Sequence, residues 1–146
     1  KPRIILAGRE TNDQIDKNKI EKIKNISNEK KILLKKSKIL LMGYTFKENC
    51  SDIRNTQIKK LLSGFLKITS QVDIFDPIAN RLNLDSNTNK HFIKTPKKNF
   101  YDIIIISVNH REFLKIGFNN IKKYTKKRSF IFDLKKCFNN KEIYYL

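Results

Sequence analysis

The sequence predicts an α/β fold: an open, mainly parallel sheet with helices on both faces, preceded by an amphipathic helix. Three observations carry this. Short, largely apolar runs at 38–43, 71–76, 102–108 and 129–134 are what strands covered on both faces require. Segments with apolar residues at helical spacing lie between them, and such alternation folds through right-handed crossovers. The stretches after the runs (44–54, 76–77, 109–111 and 133–136) are polar and irregular, and ligands of open α/β sheets sit beyond the carboxyl ends of the strands.

Taken in order, residues 3–8 (RIILAG) form a short apolar run. Thr11 and Gln14 have the spacing of a capping box, and Ile15, Ile20, Ile23, Ile26, Leu33 and Leu34 share one face of a helix over roughly 12–35. That stripe has few apolar partners nearby in sequence. It meets either a partner chain or another domain, or it packs on its own domain. The run 38–43 is the first strand. Thr56 can cap the next helix, where Ile58, Leu61, Leu62 and Phe65 repeat at i, i+3, i+4 and i+7. Residues 71–76 (QVDIFD) read as a strand ended by Pro77, 80–89 as a loop, 91–94 as a short edge strand and 96–100 as a turn or short helix. The run 102–108 (DIIIISV) is the clearest buried strand. Two short helices follow at 110–116 and 118–124, then a strand at 129–134. The tail from 138 to 146 is ambiguous.

Composition narrows the function. The chain has 146 residues, 39% of them hydrophobic, which is enough for one ordinary core. With 32 Lys and Arg against 14 Asp and Glu, the net charge is +18. Such charge suggests nucleic acid or an anionic surface. The lysines are spread along the chain among many Asn and Ile residues, all with AT-rich codons, so most of the charge reads as compositional background. No apolar run approaches the roughly 20 residues that cross a bilayer, and the amino terminus does not resemble a signal peptide. Two cysteines far apart in sequence make neither a disulfide framework nor a zinc site, so a reducing cytoplasm is expected. The chain begins with Lys and its single methionine is Met42, so it is expected to be a piece of a longer protein.

Several chemistries are absent. Gly8, Gly43, Gly64 and Gly117 are the four glycines; they cannot assemble a GxGxxG dinucleotide fingerprint, and there is no P-loop. Cys50 lies near Lys47 but has no evident general base, since His91 and His110 are distant in sequence. Cys137 reads as a half-buried thiol, and His110, just before a helix, as a cap or a solvated residue. No metal-ligand cluster stands out. By contrast, Lys47, Arg54, Arg111, Lys135 and Lys136 all fall at the carboxyl ends of predicted strands. As a group they suit a phosphate, because Arg and Lys beside a helix amino terminus make an anion site.

The segment 43–56 (GYTFKENCSDIRNT) is decisive. It resembles the opening of the C-terminal, UDP-binding domain of the UDP-glucose/GDP-mannose dehydrogenase family. That family's pattern sets Gly, then Thr or Ala, Phe and Lys, then Asp, Arg and Ser or Thr at fixed spacing, and every fixed position is met here. The Glu-Asn-Cys variant resembles the UDP-N-acetylhexosamine, Vi-antigen type branch, with Ser51 where a proline is expected. Residues 72–77 (VDIFDP), 101–106 followed by His110 and Phe113, and 130–135 (FIFDLK) resemble further family segments. Leu6-Ala7-Gly8-Arg9 with Asn12-Asp13 resembles the entry to the long helix that joins the family's two nucleotide-binding domains and forms its dimer core. The resemblance covers nearly the whole chain and weakens at 80–100 and after Lys136.

The resemblance implies a Rossmann-like domain at 37–146, preceded by the end of an inter-domain and dimerisation helix at 1–36. It implies a UDP-sugar site with Phe46 and Lys47 on the nucleotide, Lys135 near the phosphates, Arg9 reaching across a homodimer, and Arg54 either contacting substrate or fixing the loop. The complete enzyme would be an NAD-dependent nucleotide-sugar 6-dehydrogenase serving surface polysaccharide synthesis. NAD and the cysteine nucleophile would belong to regions outside this chain, which alone would be inactive. No nucleic acid or membrane partner is implied. Two rivals are a basic nucleic-acid-binding α/β module, for which no RRM, KH or helix-turn-helix pattern is present, and a chain that mainly supplies a dimer interface through helix 12–35.

Overall fold

The computed structural model describes the backbone of residues 2–146 and the side chains of residues 12–146. The described residues form one five-stranded, fully parallel sheet of order β2-β1-β3-β4-β5. Its strands are β1 (Ile39–Met42), β2 (Val72–Phe75), β3 (Tyr101–Ile106), β4 (Thr125–Asp133) and β5 (Ile143–Tyr145). The helices are α1 (Pro2–Glu29), α2 (Ile58–Leu66), α3 (Ser86–Asn89), α4 (Arg111–Ile116) and α5 (Phe118–Lys122). The predicted edge strand at 91–94 is reduced to a single parallel bridge between Ile74 and Phe92.

Alternation along each strand builds two cores. Ile39, Leu41, Ile103, Ile105, Phe130 and Phe132 face one way, against α1 and α2. Leu40, Met42, Ile104, Ile106 and Ile131 face the other, against Phe113 of α4 and Ile121 of α5. Both faces are dry, which is why the strands read as unbroken apolar runs. Burying a side chain such as Phe65 or Phe132, each 0% exposed, contributes about 1.5–3 kcal/mol.

The first helix differs from its expected bounds. It runs from Pro2 to Glu29 rather than from 12 to 35, and 34–36 is a separate turn of 3-10 helix. Thr11, expected as its cap, therefore sits within the helix, and the side chains of Thr11 and Arg9 lie outside the described residues. Two residues past the end of α1, Lys31 turns the chain with φ +57. The Ile32 amide reaches back to the Ser27 carbonyl (2.8 Å) and the Lys31 amide to Asn28 (3.1 Å), a Schellman arrangement. The question of what covers its stripe resolves by position. Ile23 and Ile26 are buried in the chain's own core, and Gly64 of α2 lets Ile20 come so close that a Cβ there would lie 2.2 Å from its Cδ1. Ile15, one to two turns earlier, is 44% exposed.

The ambiguous tail supplies β5, parallel to β4 with Ile131 opposite Ile143. No described helix is long and apolar enough to cross a membrane.

Candidate functional site

The carboxyl ends of β1, β2, β3 and β4 line one edge of the sheet, and the loop after β1 is built into that edge. Gly43 turns the chain with φ +103; a Cβ there would lie 2.6 Å from the Cβ of Val108 and 2.9 Å from its backbone nitrogen. Only glycine accepts both that φ and that approach. Ser107 fastens the crossing, its hydroxyl reaching the carbonyls of Met42 (3.0 Å) and Gly43 (2.7 Å).

Beyond Gly43 the loop is held by a buried carboxylate. Oδ2 of Asp76, just after β2, accepts the amides of Tyr44 (2.7 Å) and Thr45 (3.2 Å). Its Oδ1 accepts those of Ile78 and Ala79, each at 3.2 Å. The same Oδ2 lies 3.0 Å from Nε2 of His110. Burial pushes the Asp76 carboxyl up, but the His110 hydrogen bond and the Tyr44 and Ile78 amides outweigh it and hold the group below the usual carboxylate range. His110 is fully buried. It stands at the N-cap of α4 but makes no side-chain cap, so the expectation of a capping or solvated histidine is corrected. The Asn49 amide donates to its Nδ1 (3.0 Å), and the Arg111 amide donates to Oδ1 of Asn49 (2.8 Å).

The rest of the loop closes on itself. The Phe46 amide donates to the Asp52 carbonyl (2.7 Å) and the Thr45 hydroxyl to the Lys47 carbonyl (3.0 Å). Thr56 caps α2 from one residue before its N-cap Gln57, its hydroxyl accepting the Ile58 amide (3.2 Å). This backbone is fixed from within, so Phe46 (55% exposed) and Lys47 stand on its outer surface.

The predicted site residues fall into separate places. Arg54 grips Asp52 through Nε (3.0 Å) and Nη2 (2.9 Å) with its side chain 84% exposed. This pairing draws the Asp52 carboxyl below its ordinary range. Arg54 also lines a hollow of about 890 Å³ together with Tyr44, Thr56, Lys59, Asn80 and Asn83. Phe46, Lys47 and Lys135 do not line that hollow. Lys135 is exposed on the turn after β4, where buried Asp133 accepts the amides of Lys135 and Phe138, each at 3.0 Å. Burial raises the Asp133 carboxyl despite those amides. With β3 between β1 and β4, the Lys47 and Lys135 loops leave the sheet about 10 Å apart at ordinary strand spacing.

Both cysteines are free thiols. Cys50 is half-buried in the loop. Cys137 is half-buried too, and burial pushes its thiol up to about 11. Asp76, His110 and Ser107, which shape the site, were not among the expected site residues. The Asp-Pro ending of β2 and the His-x-x-Phe spacing were their visible trace.

Comparison with known proteins bears on the family and the fold. Residues 40–140 match the model of the UDP-glucose/GDP-mannose dehydrogenase family, UDP binding domain. The chain is 36% identical over 134 residues to the UDP-N-acetyl-D-glucosamine 6-dehydrogenases of Salmonella typhi and Pseudomonas aeruginosa, covering 92% of this chain and 32% of each relative. It therefore spans about a third of the length of those relatives. In fold it is similar to the UDP-N-acetyl-mannosamine dehydrogenase of Staphylococcus aureus, with TM-score 0.65 and 20% identity over 94% of this chain and 31% of that one. Nothing in these matches supports the nucleic-acid module.

Proposed function

We propose, for a chain that belongs to the UDP-glucose/GDP-mannose dehydrogenase family through its UDP binding domain, that it recognises the nucleotide end of a UDP-sugar. The observation that carries this is the loop 43–56. It matches the family's pattern at every fixed position, and Asp76 and His110 hold it with Phe46 and Lys47 facing outward. On this reading Phe46 lies against the nucleotide, Lys47 and Lys135 neutralise the diphosphate, Arg9 reaches the site across a homodimer, and Arg54 fixes the loop or adds a contact. The domain spans 37–146, with 1–36 the end of the inter-domain and dimerisation helix. Family membership together with the exposed Ile15 supports that helix role.

The whole protein, on the same reading, is a cytoplasmic NAD-dependent UDP-sugar 6-dehydrogenase that takes the sugar C6 alcohol to a carboxylate for polysaccharide synthesis. NAD does not fit this chain as a resident group. After Gly43 the next glycine is Gly64, so there is no glycine-rich turn to admit a pyrophosphate, and no hydride step belongs to these residues. The chain alone is inactive; turnover of a UDP-sugar with NAD by the 146 residues would contradict this.

Calorimetric titration of UDP tests the binding itself. Binding is expected, weakened about three- to tenfold by Lys47→Ala and by Lys135→Ala, which corresponds to about 0.7–1.4 kcal/mol each. Absence of binding, or binding indifferent to both substitutions, defeats the proposal.

A further inference from the structure

The hydrogen bonds around His110 determine which of its nitrogens carries the proton. The Asn49 backbone N–H can only donate, so Nδ1, 3.0 Å away, accepts. At the other nitrogen lie Asp76 Oδ2 (3.0 Å) and Thr45 Oγ1 (3.1 Å). Asp76 already receives four backbone amides as an ionised acceptor, and the Thr45 hydroxyl spends its proton on the Lys47 carbonyl (3.0 Å). Both therefore offer lone pairs only, and Nε2 must donate. The opposite tautomer would set N–H against N–H at one end of the ring and a lone pair against a carboxylate at the other.

The ring thus ties together three segments that follow three different strands: the Thr45–Asn49 loop after β1, Asp76 after β2, and its own turn after β3. With 0% exposure it leaves no room for solvent to substitute for these bonds. Asn49 closes the far side of the bracket. It holds φ +57 and accepts the Arg111 amide on its side-chain oxygen. Between the two anchored ends, at Thr45 and at Asn49, stand Phe46, Lys47 and Glu48. The loop spans only these three residues between anchors, so the bracket controls where the Lys47 ammonium and the Phe46 ring stand. The ring's aromatic contact, with Phe113 at 5.3 Å between centroids, would be served equally by a non-polar ring.

We propose that His110, held as the Nε2–H tautomer between Asp76 and Asn49, is a positioning residue that sets the loop presenting Phe46 and Lys47 to the UDP diphosphate. This rests on the UDP-binding reading above.

Long-range nitrogen–proton NMR of the unmodified chain reads the tautomer directly, without any substitution. The expected spectrum has one protonated nitrogen, Nε2, and slow hydrogen exchange at the Asn49 amide. A proton on Nδ1, or an averaged ring, overturns the proposal. UDP titration reads the consequence. His110→Phe keeps an aromatic ring but loses both bonds. His110→Asn keeps an acceptor near Nδ1, and His110→Gln a donor near Nε2. UDP affinity is expected to fall about tenfold in His110→Phe and by less in the other two, with the Asn49 amide exchanging faster in His110→Phe and His110→Gln. If the His110 variants fail to fold, Asn49→Gly decides: it keeps the positive φ and deletes only the side-chain anchor, and a weakened UDP affinity is expected. Binding of UDP equally well by all the folded variants overturns the positioning role alone. A correctly tautomeric, well-ordered wild-type chain that takes up no UDP overturns the binding reading and, with it, this role.

Discussion

Gly43→Ala tests whether the turn that opens the site is set by close approach or merely by backbone conformation. Gly43 has φ +103, and an added Cβ would sit 2.6 Å from Val108 Cβ, 2.9 Å from its Cγ2 and 2.9 Å from its backbone nitrogen. The strained φ costs an L-residue about 1–3 kcal/mol. The clash cannot be relieved by rotating a flexible side chain, since a Cβ and a backbone nitrogen are in the way, and overpacking of this kind costs about 1–3 kcal/mol more. The sum, about 2–6 kcal/mol, is a large part of the 5–15 kcal/mol typical of a folded domain and corresponds to a Tm lowered by roughly 5–20 °C. Gly117→Ala is the internal control. Gly117 also has a positive φ, +80, but a Cβ there would meet nothing within 4 Å, so it carries the conformational cost alone. Guanidinium unfolding followed by circular dichroism, with equal slopes checked across the variants, gives both values. Equal destabilisation by the two substitutions would refute the close-approach argument.

Two further outcomes are expected. Lys31→Gly relieves the left-handed conformation at the end of α1 and should stabilise the chain by about 0.5–1 kcal/mol after the entropy cost of glycine; chemical denaturation showing a loss would contradict the Schellman assignment. The Asp76 carboxyl is held below its unfolded value, so its contribution is fully present above about pH 4 and is lost as pH falls through the folded value. Asp76→Asn should therefore be less stable at pH 7 and show a flatter decline below about pH 4, and superimposable acid limbs for the two proteins would rule this out.

The fold was legible where burial is two-sided and local. The runs at 38–43 and 71–76 contain β1 and β2, and those at 102–108 and 129–134 overlap β3 and β4, which begin one and four residues earlier, because a strand between two dry faces needs no polar residue. The spacing of Ile58, Leu61, Leu62 and Phe65 located α2 for the same reason: all four are buried on one side. What escaped depends on non-local context. β5 is three residues long and reaches its parallel position through 134–142 without a helix, so neither period nor crossover length announces it; only the free edge of β4 makes Ile143–Tyr145 a strand. The turn at Lys31, just past α1, uses a residue type that carries no turn signal. Of the candidate site residues, Phe46, Lys47 and Arg54 were visible because a motif names them. Asp76 and His110 meet across 34 residues of sequence, and a histidine directly before a helix looks like a cap until the loop that covers it is in place.

The two strand-end aspartates bear on how a phosphate could bind at this edge. Free backbone amides at the ends of strands and helices are the usual cradle for an anion. Here the carboxylate of Asp76 takes the amides of Tyr44, Thr45, Ile78 and Ala79, and that of Asp133 takes those of Lys135 and Phe138. Those amides are already occupied by the protein's own anions, and each buried carboxylate repels a second negative group placed beside it. A diphosphate on this edge must therefore be held chiefly by side-chain cations standing off the backbone, as Lys47 and Lys135 do. On the proposed reading the work is divided: carboxylates fix the shape of the loops from below, and lysines supply charge from above. Ammonium groups on exposed loops act through solvent-screened point charges. Binding through them should weaken steadily with added salt, whereas the order of the loops, set by buried bonds, should not.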